Sequence, residues 1–338
     1  MQLVINSPGT YLSQKDEIFR LKQGEKRLDV SPLKVESIIL TNKALITTKA
    51  VQMALEHNVD LIFLDDFGDP LGRVWFSKMG STVLIRRKQL EASETDKGLN
   101  LAIDMIRTKL ENQARFLKKL MNARPKKETV FEDPLRIIDG AMTGLNMVAL
   151  NQPDIQNSIM GFEGTAGRAY FQCISKIMPE TYQFKGRSRR PAKDPFNAVL
   201  NYCYGILYGR IEKACILAGL DPYIGFLHAD NYNKKSLVFD LIEPFRIFAE
   251  QTAIYLFTGK KIRDEYFDLS ETSATLNQKG KPVVVDAINQ HLEETVRYRK
   301  RNVKRKHLPQ HEAHRLANIL LADEPSFKKP EWLEIVEF

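Results

Sequence analysis

The segment around Glu163 sets an acidic side chain among small residues. Gly164, Ala166 and Gly167 follow the glutamate, and Arg168 stands five positions after it. Small residues let a ligand or another backbone approach closely, although glycine costs helix propensity. The pattern therefore fits a carboxylate kept open to a ligand, and it also fits a helix crossing that needs glycine.

Two later segments add an imidazole and further carboxylates. Gly225–His228 ends a short apolar run with a histidine, which fits a metal ligand or a hydrogen-bonded core residue. Downstream, Asp240 and Glu243 are three positions apart, and Arg246 follows at the same spacing. This spacing also fits a capping box, in which Asp240 caps a helix and Glu243 takes its third position.

Together the three segments offer carboxylates and an imidazole for one site. Mg²⁺ and Mn²⁺ prefer oxygen ligands, and Mn²⁺ also accepts imidazole nitrogen. Two carboxylates and one imidazole leave coordination sites open for phosphodiester chemistry, in which the ion polarises a phosphoryl oxygen and lowers the pKa of a bound water or attacking hydroxyl. Arg168 and Arg246 are candidates to steady the phosphate and its developing charge.

The N-terminal part of the chain has the pattern of strands and turns around one helix. Apolar runs of strand length occur at Gln2–Ile5, Ser37–Leu40 and Leu61–Leu64, and Ile18–Leu21 and Arg27–Val30 flank a hairpin-like signal at Gln23-Gly24-Glu25. A helix is predicted at Thr47–His57 and a turn at Asp69–Gly72.

Helical periodicity dominates from Leu99 onward. The predicted helices are Leu99–Ala123, Pro134–Leu150, Gln156–Ile177, Pro195–Ala218, Ile242–Phe257, Val283–Val303 and Glu312–Leu321. The predicted fold class is α+β, with a small β-rich domain at residues 1–92, a linker at 93–98 and a larger all-α domain at 99–338.

In this order, the three segments resemble the CRISPR-associated spacer-acquisition integrase family, Cas1. The resemblance is carried by Glu163-Gly164 with Arg168, by Gly225–His228, by Leu237–Glu243 with Arg246, and by Asp194–Asn197 followed by Leu200–Tyr202. It extends over nearly the whole chain and includes the β-then-helical layout.

The resemblance implies that Glu163, His228 and Glu243 bind Mg²⁺ or Mn²⁺, with Asp240 as a supporting acid. It implies a metal-dependent DNA endonuclease and integrase that inserts short duplex DNA into a repeat array by attack of a 3′ hydroxyl on a phosphodiester. The resemblance further implies that branched DNA is processed by the reverse reaction. It also implies a homodimer, formed through the β-rich domain, and a small dimeric partner, Cas2.

Basic residues point to a polyanionic partner, since the net charge is +8. In the loop Lys185–Lys193, which is predicted to be mobile, the expected phosphate contacts are Lys185, Arg187, Arg189, Arg190 and Lys193. A solvated loop is the alternative. Arg297–Lys306 adds a second basic cluster, predicted on a helix. Phosphate contacts position a protein on DNA without specifying sequence.

Two other functions fit parts of the sequence. A non-catalytic scaffold would use the basic surface alone and would not require Glu163, His228 and Glu243 to meet around one ion. A zinc enzyme would use His307, His311 and His314, but Pro309 interrupts a helix that would align them.

The remaining features favour a cytoplasmic protein without a membrane partner. No apolar run reaches the roughly 18 residues needed to span a bilayer, and Met1–Gln14 lacks the order of a signal peptide. Cys173, Cys203 and Cys215 have no CxxC spacing and are predicted to be buried, reduced thiols.

Overall fold

The computed structural model describes residues 2–5, 7–35, 37–41, 44–57, 59–64, 70–74, 82–148, 154–227, 234–299 and 301–322. The chain divides into two compact units, Met1–Gly80 and Ser81–Phe338. The first is rich in strands and the second is mostly helical, which confirms the predicted α+β class. Each unit has its own hydrophobic core.

Strands in the described part of the first unit form two four-stranded sheets. One sheet has the order β1 (Gln2–Ile5), β5 (Ser37–Thr41), β7 (Asp60–Leu64) and β8 (Pro70–Val74). The other has the order β4 (Lys26–Val30), β3 (Ile18–Gln23), β2 (Tyr11–Lys15) and β6 (Leu45–Ile46). Helix α1 (Thr48–Glu56) is capped by Thr47, whose side chain accepts a hydrogen bond from Ala50 N at 3.2 Å.

The turn predicted at Asp69–Gly72 is wrong for the residues that the structure describes there. Pro70–Val74 forms the edge strand β8, antiparallel to β7, and proline is tolerated at the first residue of an edge strand. The Arg73 guanidinium forms a buried ion pair with Asp60 on β7, with Arg73 Nε 2.5 Å from Asp60 Oδ1. This cross-strand pair gives the segment a partner that its turn-like sequence does not reveal.

Helices of the second unit surround a core that includes the fully buried Met105, Tyr170, Phe196, Phe245 and Phe248. They are α2 (Thr82–Ser93), α3 (Asp96–Asn122), α4 (Thr129–Met147), α5 (Ile155–Ile177), α6 (Pro195–Leu217), α7 (Ser236–Leu241), α8 (Arg246–Thr258), α9 (Gly280–Glu293) and α10 (Leu308–Leu321). Short hairpins pair β9 (Phe267–Leu269) with β10 (Ala274–Leu276) and β11 (Thr295–Tyr298) with β12 (Arg301–Lys304). The three cysteines are free and buried, as predicted.

The division between units falls earlier than the expected domain end at residue 92, because α2 belongs to the helical unit. The fully buried Gln89 donates to the carbonyl oxygens of Asp221 at 2.9 Å and Ile224 at 2.7 Å, and it accepts from Asp221 N at 2.8 Å. The expected linker at 93–98 is a tight turn into α3, where a Cβ on Gly98 would lie 3.0 Å from Phe226 Cδ1.

The helix predicted at Val283–Val303 ends at Glu293 and is followed by the hairpin β11–β12. Val296 and Tyr298 are buried between exposed neighbours, which is the two-residue period of a strand. Val296 also pairs with Val303 across the hairpin. The described basic residues of this cluster therefore lie on a hairpin and a following 3-10 turn, Arg305–His307, instead of a helix.

Close packing of α4 on α5 depends on a missing side chain at Gly144. A Cβ there would lie 2.6 Å from Cζ of Phe162, the residue before Glu163, whereas a Cβ on Gly140 would meet no heavy atom within 4 Å. We expect Gly144→Ala to lower the free energy of unfolding by about 1–3 kcal/mol through overpacking. Gly140→Ala should raise it by about 0.5–1 kcal/mol through helix propensity.

Urea unfolding followed by circular dichroism measures both variants. Equal stability of the Gly144→Ala and Gly140→Ala proteins would show that the contact between α4 and α5 does not need the glycine.

Candidate active site

Glu163 lies on α5 beside open space. Its side chain is 32% exposed. Among the residues that the structure describes, a Cβ on Gly161 would meet no heavy atom within 4 Å, one on Gly164 only Arg168 Nη1 at 3.6 Å, and one on Gly167 only Glu163 Oε1 at 3.9 Å. Within that part of the chain these glycines therefore do not serve a helix crossing, and they leave space beside the carboxylate.

Glu243 lies in a buried 3-10 turn, Glu243–Phe245, between α7 and α8. Arg246 Nε and Nη2 lie 2.8 Å and 2.7 Å from Glu243 Oε1. The guanidinium carbon of Arg246 is 4.8 Å from the ring centroid of Tyr204, and its Nη2 lies 3.3 Å from Tyr208 Oη. Arg246 is thus buried against Glu243 and two aromatic rings instead of facing solvent.

Lys109 on α3 brings the two glutamates together. Its ammonium contacts the Glu163 carboxylate and lies 2.7 Å from Glu243 Oε2. Glu163 and Glu243, far apart in sequence, therefore reach one cation position. Glu243 Oε2 is buried and makes no hydrogen bond of normal geometry within the described part of the chain. The carboxylate oxygens of Glu163 and Glu243 are hard donors of the kind that divalent ions prefer.

Electrostatics keep this cluster ionised. Burial alone would raise the pKa of Glu243, but Arg246 and Lys109 hold that pKa at about 2. Burial would likewise lower the pKa of Lys109, yet Glu243 and Glu163 raise it above its ordinary value. At neutral pH Glu243 is therefore an ionised carboxylate between two cations, Lys109 and Arg246, which offsets the cost of burying each charge alone.

Asp240 is inside α7 and does not cap its own helix, so the capping-box interpretation of Asp240 and Glu243 is wrong. Its Oδ2 accepts hydrogen bonds from the backbone N–H groups of Phe226 at 2.6 Å and Leu227 at 3.2 Å. A Cβ on Gly225 would lie 2.9 Å from the same oxygen. Asp240 thus positions the backbone that leads into His228, which itself lies outside the described residues.

Polar residues on α3, α6 and α8 form hydrogen bonds next to the Glu243 turn. Asn112 donates to the carbonyl oxygen of Pro244 at 3.0 Å. Gln113 donates to Glu250 Oε1 at 3.2 Å, and Tyr204 Oη donates to the same oxygen at 2.8 Å. None of these residues was predicted from the sequence, and neither was Lys109. On α3 the available signal was that the polar residues Lys109, Asn112 and Gln113 recur at helical spacing on an otherwise apolar helix face.

Arg168 and the loop Lys185–Lys193 contain the remaining residues that were predicted to contact phosphate. Arg168 is exposed on α5 and donates to Thr165 Oγ1 at 3.1 Å. The loop is tied to α6, since Asn197 donates to Gly186 O at 2.9 Å and Asn201 donates to Ser188 O at 3.1 Å. The loop that was predicted to be mobile is therefore anchored by hydrogen bonds.

The five basic side chains of this loop separate into two groups. Lys185, Arg189, Arg190 and Lys193 are exposed. Arg187 instead points inward, donating to Asn201 Oδ1 at 2.8 Å and lying 5.3 Å from the ring centroid of Phe171. Burial lowers the pKa of Arg187. Arg187 anchors the loop to α6.

The three C-terminal histidines do not form a common site. His307 ends a 3-10 turn, whereas His311 and His314 lie on α10, whose first turn contains Pro309. All three are exposed. Across the described ranges, no group of three or more His, Cys, Asp or Glu residues is arranged to hold a metal ion, and His228, the predicted third ligand, is not among those residues.

None of the helices in the described part of the chain has the length and apolar character needed to cross a membrane.

The fold has relatives of known structure. A casposase bound to integration product matches with a TM-score of 0.82 at 24% identity, covering 100% of this chain and 95% of that one. A Cas1 protein from Thermotoga maritima matches with a TM-score of 0.78 at 23% identity, covering 98% of this chain and 100% of that one. The class of fold is therefore the one shared by Cas1 and casposase structures.

Sequence similarity identifies the family within this class of fold. A family model described as CRISPR associated protein Cas1 matches residues 3–290. The CRISPR-associated endonuclease Cas1 1 of Archaeoglobus fulgidus is 33% identical over 316 residues, which cover 90% of this chain and 91% of the relative. Cas1 2 of Saccharolobus solfataricus is 32% identical over 248 residues, covering 73% and 72%. The chain belongs to the CRISPR-associated Cas1 family, which confirms the resemblance seen in its sequence.

Removing the hydrogen bond from Tyr204 to Glu250 tests the buried hydrogen-bond network next to the site. Tyr204→Phe keeps the ring under Arg246 but removes one donor to a buried carboxylate, so we expect unfolding free energy to fall by about 1.5–3 kcal/mol. Tyr202→Phe, on the same helix, removes a hydroxyl that makes no hydrogen bond to a described residue. Chemical denaturation compares the two, and similar losses would contradict the network.

Proposed function

We propose that this protein is a metal-dependent DNA endonuclease and integrase of CRISPR adaptation. The observation that supports this function best is the meeting of Glu163 and Glu243 at one cation position. A scaffold that binds DNA by charge alone has no need for such a meeting. Relatives named CRISPR-associated endonuclease match most of the chain, which supports the same reaction class.

In this proposal Glu163, His228 and Glu243 hold Mg²⁺ or Mn²⁺. When bound, the ion polarises a phosphoryl oxygen and lowers the pKa of the attacking hydroxyl. Arg246 fixes the geometry and charge of Glu243, and Lys109 holds both carboxylates in place before the ion binds. Asp240 orients the backbone before His228 through its bonds to Phe226 and Leu227.

The open side of α5 is where we place the DNA backbone. Gly161 and Gly164 leave room for a phosphate to approach Glu163, and the exposed Arg168 stands on the same helix to contact it. The 3′ hydroxyl of an incoming duplex attacks a phosphodiester of the repeat: a new phosphorus–oxygen bond forms, the old one breaks, and the leaving 3′ oxygen takes up a proton. Processing of branched DNA is the reverse reaction.

Partners follow from the same proposal. We propose a homodimer formed through the strand-rich unit and an assembly with the small dimeric protein Cas2, in the cytoplasm. A solved complex described as Cas6-RT-Cas1–Cas2 contains a chain of similar fold, with a TM-score of 0.74 at 22% identity, covering 95% of this chain and 35% of that one. Duplex DNA is expected along Lys185, Arg189, Arg190 and Lys193.

The role of Glu163 is tested by Glu163→Gln. We expect binding of a branched duplex to persist while its cleavage in Mn²⁺ falls at least about a hundredfold, because even groups behind a metal ligand contribute about 10–100-fold. Gel separation of labelled strands measures the reaction, with a chelator as a further control. Glu132→Gln changes an exposed acid on α4 and should react like the wild type.

Equal reaction of wild type and Glu163→Gln would refute the proposed metal site. A wild-type protein that binds branched DNA with its Cas2 partner but never cuts or joins it would support the scaffold function instead.

The anchored basic loop is tested by the double variant Arg189→Ala/Lys193→Ala. Each lost phosphate contact should reduce the salt dependence of duplex affinity by about one unit of log–log slope. Fluorescence anisotropy over a range of salt concentrations measures this slope. Lys126→Ala/Lys127→Ala removes the same charge from an exposed 3-10 turn, and an equal effect there would show that only net charge matters.

A further inference from the structure

Lys109 occupies the position between the Glu163 and Glu243 carboxylates. Its side chain is 7% exposed, its ammonium contacts Glu163, and it lies 2.7 Å from Glu243 Oε2. A divalent ion that bound both carboxylates would need the same place. Because two cations repel strongly at such a separation in a poorly solvated site, the ion and the ammonium exclude one another there.

The Lys109 side chain can move away from the two carboxylates. Its flexible four-carbon stem lets the ammonium move while the backbone of α3 stays in place. Among the described residues, the cluster opens at Glu163, because a Cβ on Gly161 would meet no heavy atom within 4 Å and one on Gly164 only the Arg168 side chain. On the other side, Glu243 is closed off by Arg246 and by the turn that Asn112 holds. The ammonium therefore leaves toward α5.

Once the Lys109 ammonium has left the two carboxylates, its charge must be compensated by another anion. The proposed function places a DNA phosphate on this open side, next to Glu163. A phosphate there would accept the Lys109 ammonium as it turns away from the carboxylates, since lysine is a compact cation well suited to phosphate.

We propose that Lys109 is a positioning residue that couples metal binding to DNA binding. It holds Glu163 and Glu243 in place and competes with the metal until a DNA phosphate draws the ammonium away. The proposal rests on the metal site of the proposed function and adds its regulation: the free protein binds the metal weakly, and the DNA complex binds it tightly. By linkage, the metal must strengthen DNA binding by the same factor.

The test measures Mn²⁺ affinity by titration with electron paramagnetic resonance, with and without a linear duplex that ends in dideoxynucleotides. In the wild-type protein, DNA should tighten Mn²⁺ binding by at least about tenfold, a typical size for coupling between sites. Lys109→Met is nearly isosteric and uncharged. It should bind Mn²⁺ at least about tenfold more tightly than wild type without DNA, and DNA should add little.

Matched variants separate this competition from general charge. Lys118→Met removes an exposed charge from the same helix and should behave as wild type. Lys109→Arg keeps the charge and should keep the weak Mn²⁺ affinity of the free protein. Circular dichroism establishes that each variant is folded, and the wild-type coupling alone decides the question if Lys109→Met does not fold.

Two failures are distinguishable. If Glu163→Gln leaves Mn²⁺ affinity unchanged, the metal site itself is wrong, and the proposed function fails together with the coupling. If Glu163→Gln weakens Mn²⁺ binding while DNA has no effect in wild type, or Lys109→Met binds no more tightly than wild type, the site stands and the competition by Lys109 is overturned.

Discussion

The ion pair between Lys109 and Glu243 is the interaction on which the rest of the helical unit depends. Both side chains are buried, at 7% and 6% exposure, and a buried charge whose partner is removed costs several kcal/mol, roughly 3–5. Arg246 and Glu163 complete a cluster whose charges balance. Helix α3, helix α5 and the turn before α8 must therefore sit at fixed distances from one another, or one of these charges is left without compensation.

Helix α3 meets this constraint by presenting polar groups to the core at successive turns. Lys109 reaches the carboxylates, Asn112 holds the Pro244 carbonyl, and Gln113 meets Glu250. The site is thus built into the packed interior, and among the described residues the α5 side, with its glycines, has space beside it. The polar contacts of α3 fix one side of the site, and the other side leaves room for a ligand.

Local patterns in the sequence predict most helices because their apolar faces repeat at the helical period, and in the first unit they predict β1, β5, β7 and the hairpin of β3 and β4. They cannot show that Glu163 meets Glu243, since that meeting depends on how α3, α5 and α8 pack. Periodicity also does not distinguish the buried Lys109 from the exposed Lys118 on the same helix. Arg187 lies in a basic loop that resembles a phosphate-binding segment, but its side chain packs inward against Asn201 and the ring of Phe171.

The anchoring of the loop Lys185–Lys193 has an entropic consequence. A disordered basic segment loses backbone freedom when it settles on DNA, at about 1–2 kcal/mol for each residue that becomes fixed. Here Asn197 and Asn201 hold the backbone from Gly186 to Arg189 through hydrogen bonds formed on folding. In the proposed DNA complex, the exposed side chains would then lose only rotamer freedom on contact with phosphate, so more of their attraction would be available to hold the duplex.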